Sequence, residues 1–156
     1  MVVLAKNRVV RAGVDEVWDI LTDSENERKY WTNVRDVKVL NSSGNITERE
    51  ATVGPSGFRQ KTKQTLVLKP KRSIKLSMSG ETISGERVIM VSPLGGNETK
   101  VEVVWSLQLQ GVPGFVDGIV SGQISKITEE ALKKIAEAAE HAAAEGKGEI
   151  GKEASL

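Results

Sequence analysis

Cysteine is absent from this 156-residue chain. That excludes disulfides, thiolate nucleophiles and cysteine-based zinc sites together. It is what a reducing cytoplasm allows, and a cytoplasmic location is the expectation. Only 1 histidine is present, His141, set among Ala and Glu late in the sequence, where a solvated helix face is the simplest reading. Ser-His-Asp and Cys-His nucleophile systems are therefore missing. So are the clustered His and Cys ligands of a transition-metal or Rieske-type centre. No apolar run approaches the roughly 18–20 residues of a membrane span. The opening segment Met1 to Arg8 is apolar but short, and it does not read as a signal peptide. Glycine-rich phosphate loops are missing too. Gly95-Gly96-Asn97 has hairpin composition, and Gly54-Pro55-Ser56-Gly57 lacks the lysine and following helix of such a loop. No cofactor is implied. The formal net charge of +1 excludes bulk charge as a reason to expect a nucleic-acid partner.

What is present is periodicity. Leu4 to Arg11 reads as a strand. Gly13 suits an N-cap, Asp15 and Glu16 suit the positive end of a helix dipole, and Val14, Val17, Trp18 and Leu21 share one helical face. Asp23 opens a second short helix that runs to Tyr30. From Val34 to Leu109 the period becomes two. Successive strands begin at Val37, run from Ile46 to Val53 and from Phe58 to Lys69, carry Ile74, Leu76 and Met78, run from Gly85 to Val91, and end with Thr99 to Leu109. Turn residues separate them at Ser42 to Asn45, Gly54 to Gly57, Pro70-Lys71 and Pro93 to Asn97. Several antiparallel strands in series, each with one wet face, make a meander. Gly111-Val112-Pro113-Gly114 then launches a long helix over about Phe115 to Ala144. Its stripe is Val116, Val120, Ile124, Ile127, Ala131, Ile135, Ala138 and Ala142. Residues 145–156, rich in glycine and charge, are expected to be disordered, which leaves one domain over residues 1–144.

These features resemble the START / Bet v 1-like superfamily, also described as SRPBCC or polyketide cyclase-like. The resemblance rests on Val17-Trp18 in the first helix, on Asp23 followed by Tyr30-Trp31, on Val34 to Leu40, and on Gly111-Val112-Pro113-Gly114. It covers about residues 2–144. It implies an α+β helix-grip fold of order β-α-α-β6-α: a curved antiparallel sheet of seven strands around a long C-terminal helix, with a cavity between them. It also implies a hydrophobic small-molecule ligand, such as a lipid, isoprenoid or quinone. The alternatives are a cyclase- or dehydratase-like enzyme and a protein-interaction module.

A curved sheet that meets one helix leaves space for a ligand. The expected lining from the sheet is Leu66, Leu76, Met78, Met90, Val103, Trp105 and Leu107. The helix would add Phe115, Ile119, Val120 and Gln123. Trp31 ends the second helix near the cavity mouth, as gate or plug. Phe58, Gln60, Thr62 and Gln64 share a strand face with Leu66 and Leu68, so either that end is exposed or water or ligand oxygens satisfy them. Small residues at Gly114, Gly118, Ser121, Gly122 and Ser125 either leave room for a ligand or permit close packing. The third strand is undecided. One face carries Arg49, suited to a ligand oxygen, and the other carries Glu48 and Glu50, suited to a base. An edge strand free of the core is the plainer expectation. Lastly, no acid interrupts the interval from Glu50 to Glu81, which holds Arg59, Lys61, Lys63, Lys69, Lys71, Arg72 and Lys75. This is either a solvated outer sheet face or a surface for anionic membranes or an acidic protein.

Overall fold

Alternating side chains carry the chain through seven strands: β1 (Val2–Val10), β2 (Val34–Ser43), β3 (Ile46–Val53), β4 (Gln60–Lys69), β5 (Ser73–Gly80), β6 (Ile83–Gly95) and β7 (Glu98–Leu109). The computed structural model describes residues 1–54 and 59–154, with 147–154 as backbone alone. The strands form one antiparallel sheet of order β1-β7-β6-β5-β4-β3-β2. From β2 to β7 this is the expected meander, and β1 adds to its far end. Strands β1 and β2, consecutive in the chain, thus lie at opposite edges. The link between them crosses the sheet as helix α1 (Val14–Leu21), a 3-10 turn at Ser24–Asn26 and helix α2 (Glu27–Tyr30).

Local chemistry explains the boundaries. Helix α1 follows Gly13 in extended conformation, with Asp15 and Glu16 in its first turn and Val17 and Trp18 buried. The β6–β7 hairpin closes on Gly96 and Asn97, both at positive φ. That is the geometry of a two-residue turn matched to strand twist. Strand β6 therefore extends past the expected end at Val91, and Pro93 is accommodated beside a register shift.

The last helix, α3 (Phe115–Ala154), packs chiefly on β1, α1 and α2 and touches β7 only lightly. Strands β3 to β5 are left without helical cover over part of the concave face. The buried stripe of α3 begins as expected with Val116 and Ile124, then runs through Ala131, Leu132, Ile135, Ala136, Ala139 and Ala143. The helix also continues past Ala144 through Ala154, where disorder is expected. Once nucleated, a helix adds residues at low cost, and Glu, Lys and Ala are good formers.

Gly85 sits inside β6 at φ 139° opposite Leu107. A Cβ there would lie 2.1 Å from the Ser106 carbonyl oxygen. Backbone strain of this kind costs about 1–3 kcal/mol before the clash is counted. Gly85→Ala is therefore expected to lower urea-unfolding stability by at least about 2 kcal/mol. A change below about 0.5 kcal/mol, ordinary for a surface position, would contradict this reading of β6.

Candidate functional site

Strand β3 lies between β2 and β4 and is not an edge. Its inward residues are Arg49, Ala51 and Val53, while Glu48 and Glu50 face outward. The open choice is thus settled in favour of Arg49, which is 4% exposed. Its Nη1 and Nη2 donate to the two carboxylate oxygens of Glu27 on α2, at 2.7 and 2.9 Å. Its Nε donates to Gln64 Oε1 at 2.8 Å. The chain continues inward: Gln64 Nε2 donates to Thr62 Oγ1, and Thr62 donates to the Ala51 carbonyl. Gln60 Oε1 accepts from the backbone N–H groups of Thr82 and Ile83, and its Nε2 donates to Thr82 Oγ1. Thr62 and Gln64 are therefore buried and Gln60 half-buried, and all three are hydrogen-bonded within the protein. Burial alone would raise the Glu27 carboxyl. The hydrogen bonds and charge of Arg49, with the charge of Arg87, outweigh it and hold Glu27 below its ordinary value.

A second guanidinium lies alongside. Arg87 on β6 is 3% exposed, with its guanidinium carbon 4.4 Å from the Trp31 ring centroid and 5.7 Å from that of Trp105. The two indoles meet edge to face at 6.2 Å. Trp105 is pinned to α3, since its Nε1 donates to Thr128 Oγ1, which donates to the Ile124 carbonyl. Burial pulls the Arg87 pKa down to about 10, against the opposing pull of Glu27, and the like charge of Arg49 adds to the decrease. Arg87 therefore stays charged at neutral pH. Its Nε has no hydrogen-bond partner.

Trp31, Arg87 and Trp105 form a partition between two chambers. The first, of about 300 Å³, lies between α1–α2 and the ends of β2 to β4. Trp31, Arg49 and Leu66 line it with Glu27, Leu68 and Ile135. The second, of about 330 Å³, lies under the first half of α3. Gln60, Met78, Trp105, Leu107, Val120 and Gln123 line it, together with Asn33 and Ile124. The Oδ1 of Asn33 and the Oε1 of Gln123, on two of these lining residues, are buried without partners.

The other expected lining residues fall elsewhere. Thr62, Gln64, Leu76 and Val103 are packed in the core and line neither chamber. Met90 lies on the outer face, opposite Glu102, because Arg87, Ile89 and Val91 take the inward positions of β6. Phe115 and Ile119 are 71% and 45% exposed, one helical step away from the buried Val116. Gly114, Gly118 and Gly122 share that exposed side, and a Cβ added at any of them meets no atom within 4 Å. They neither shape a chamber nor allow close packing. Phe58 lies outside the described residues. His141 is exposed and pairs with Glu145 at 3.0 Å. Lys61 and Lys63 are exposed on the outer face of β4, but neighbouring strands place acids beside the basic stripe: Glu50 lies 3.8 Å from Lys61, and Glu86 lies 3.2 Å from Lys75. Among the described residues, no helix is long and apolar enough to cross a membrane, and no group of acids and histidines has the arrangement of a metal site.

The wrapped sheet, the long helix on its concave side and the half-open chambers between them define a helix-grip protein of the START / Bet v 1-like superfamily. The chain belongs, over residues 1–140, to the family described as polyketide cyclase / dehydrase and lipid transport. Among solved structures it is similar to the Zhui aromatase/cyclase from Streptomyces sp. R1128, with TM-score 0.75 and 14% identity, covering 88% of this chain and 93% of that one. It is also similar to a START superfamily protein from Mycobacterium smegmatis, with TM-score 0.65, 18% identity and coverage of 92% and 97%. The norcoclaurine synthase from Thalictrum flavum gives TM-score 0.61, 16% identity and coverage of 86% of each chain. At these identities the likeness concerns the fold. No curated protein sequence matches the chain.

Glu27 gives the site a pH signature. Its folded pKa is depressed, so its contribution is complete above the unfolded value near 4.5 and is lost as pH falls through the lower folded value. Replacing it leaves the buried Arg49 guanidinium without its counter-ion and removes the negative charge that acts on Arg87. Glu27→Gln is expected to cost about 3–5 kcal/mol at pH 7. It should also flatten the fall of urea stability below pH 4.5 relative to the parent. Parallel pH profiles for the two proteins would show that the ion pair is not the acid-sensitive element.

Proposed function

We propose that the chain binds a mostly apolar, uncharged small molecule, such as a lipid, isoprenoid or quinone-like compound, in the chamber between the sheet and the first half of α3. One observation carries this reading. A mostly apolar chamber of about 330 Å³ is lined by Asn33 and Gln123, whose amide oxygens are buried without a hydrogen-bond partner. An unpaired buried acceptor costs about 1–3 kcal/mol, and a ligand hydroxyl or N–H relieves it. The volume falls at the lower end of small-molecule sites, roughly 300–1,000 Å³. Among quinone-like molecules, the chemistry favours the reduced form, which donates two O–H groups, over the acceptor-only oxidised form.

Family membership supports ligand binding and a cyclase or dehydratase about equally. The side chains favour binding. Gln60, Gln64 and Arg49 are engaged in internal hydrogen bonds, and Glu50 points outward, so that set offers no free acid or base. A peripheral-membrane or acidic-protein contact through Lys61 and Lys63 receives less support, because Glu50 and Glu86 dilute the positive face. The interaction-module reading rests on that same face.

The test uses N-phenyl-1-naphthylamine, an uncharged two-aromatic probe with one N–H donor, titrated by fluorescence. One saturable site is expected. Gln123→Leu should weaken it about tenfold, the equivalent of about 1.4 kcal/mol, and Val120→Trp, which fills the chamber, should remove it. Absence of saturable binding, or wild-type affinity in both variants, would overturn the assignment.

A further inference from the structure

The chamber on the other side of the Trp31–Trp105 partition has a different chemistry. Its walls are apolar at Leu66, Leu68 and Ile135, but its inner end is ionic. Two guanidinium groups, Arg49 and Arg87, face one carboxylate, Glu27. Glu27 spends both oxygens on Arg49. Arg87 is left with a whole positive charge, a partnerless Nε, and no carboxylate within ion-pair distance among the described residues. The Trp31 face at 4.4 Å offsets part of the burial cost. A ring face cannot, however, satisfy the directed, in-plane N–H donors of a guanidinium. The other acid on the chamber wall, Asp23, accepts from Asn26 beside Tyr30, whose phenol is raised by burial and by the Asp23 charge. Asp23 is not among the groups that shift Arg87.

From this arrangement we infer that the first chamber is a second, separate binding site that takes a small amphipathic carboxylate. The carboxylate meets Arg87 in the planar, paired geometry that guanidinium favours. The hydrocarbon lies against Leu66, Leu68 and Ile135. At about 300 Å³, the space suits one medium-length chain or one ring rather than a two-tailed lipid. Val39, on the edge strand β2, lines the chamber and is 58% exposed, which gives the apolar end an outlet to the surface. This site stands independently of the uncharged ligand proposed for the other chamber, because the indole pair and Arg87 lie between them.

The experiment compares octanoate with 1-octanol by isothermal titration calorimetry on the full chain. Octanoate is expected to bind at one site at least about tenfold more tightly than octanol, the equivalent of about 1.4 kcal/mol or more. Arg87→Met should remove that preference, and Leu68→Trp, which fills the chamber without touching a charge, should remove octanoate binding altogether. The second variant decides the matter if the first fails to fold. Native mass spectrometry with octanoate and N-phenyl-1-naphthylamine together should show both bound to one chain. Equal affinity for octanoate and octanol, unaltered octanoate binding in Leu68→Trp, or mutual exclusion of the two probes would each overturn the second site. Octanoate binding without naphthylamine binding would leave this site standing and remove the other.

Discussion

Burying the Arg49 guanidinium on β3 imposes a condition that much of the surrounding structure meets. A charge taken out of water needs a counter-ion and hydrogen-bond partners in fixed positions. Glu27 supplies the first from α2 and Gln64 the second from the adjacent strand. Gln64 in turn requires Thr62, and Thr62 requires the Ala51 carbonyl. This chain ties the α1–α2 crossover, against which α3 packs, to β3 and β4. It also fixes the register of β3, since a one-residue slip would turn Arg49 outward and bring Glu48 and Glu50 onto the buried face.

The same network explains why the concave face holds two chambers. Helix α3 leans on β1 and the short helices, so the middle strands have no helical cover over part of their length. Trp31, held at the end of α2, and Trp105, held by Thr128 on α3, bridge that gap from opposite sides. Arg87 lies against the two rings. On one side remain apolar side chains, the amides of Asn33, Gln60 and Gln123, and the exposed Arg59 and Glu81; on the other, apolar side chains and the uneven charges of the buried Arg49 and Arg87 and the half-buried Glu27. One fold thus contains two environments that would select different molecules.

Much of this fold was legible in the sequence. The strands β4, β5 and β7 alternate cleanly, and the lead into α3 is marked by glycine and proline, whereas β3 carries charge on both faces and its register stays open in the sequence. The misplacements fall where hydropathy is ambiguous. In β6, Val88 and Met90 are as apolar as Ile89 and Val91, and the inward charge of Arg87 is the opposite of what a wet-face rule expects. In the second half of α3, alanines lie on several sides, so the stripe turns to Leu132, Ala136 and Ala139 without a change in composition. The site was legible in part. Gln60, Met78, Trp105, Leu107, Val120 and Gln123 do meet at one chamber. Glu27 and Arg87 went unseen because each looks like an ordinary surface charge until its partner, distant in the chain, is brought to it.

The central claim is that this half-open, partly unsatisfied interior exists to hold a small molecule. Native mass spectrometry of freshly purified protein, followed by organic extraction, tests it most directly. The account predicts a noncovalent apolar passenger that raises the mass above that of the polypeptide and is recovered in the extract. A bare polypeptide mass, both as purified and after incubation with a total lipid extract, would contradict it.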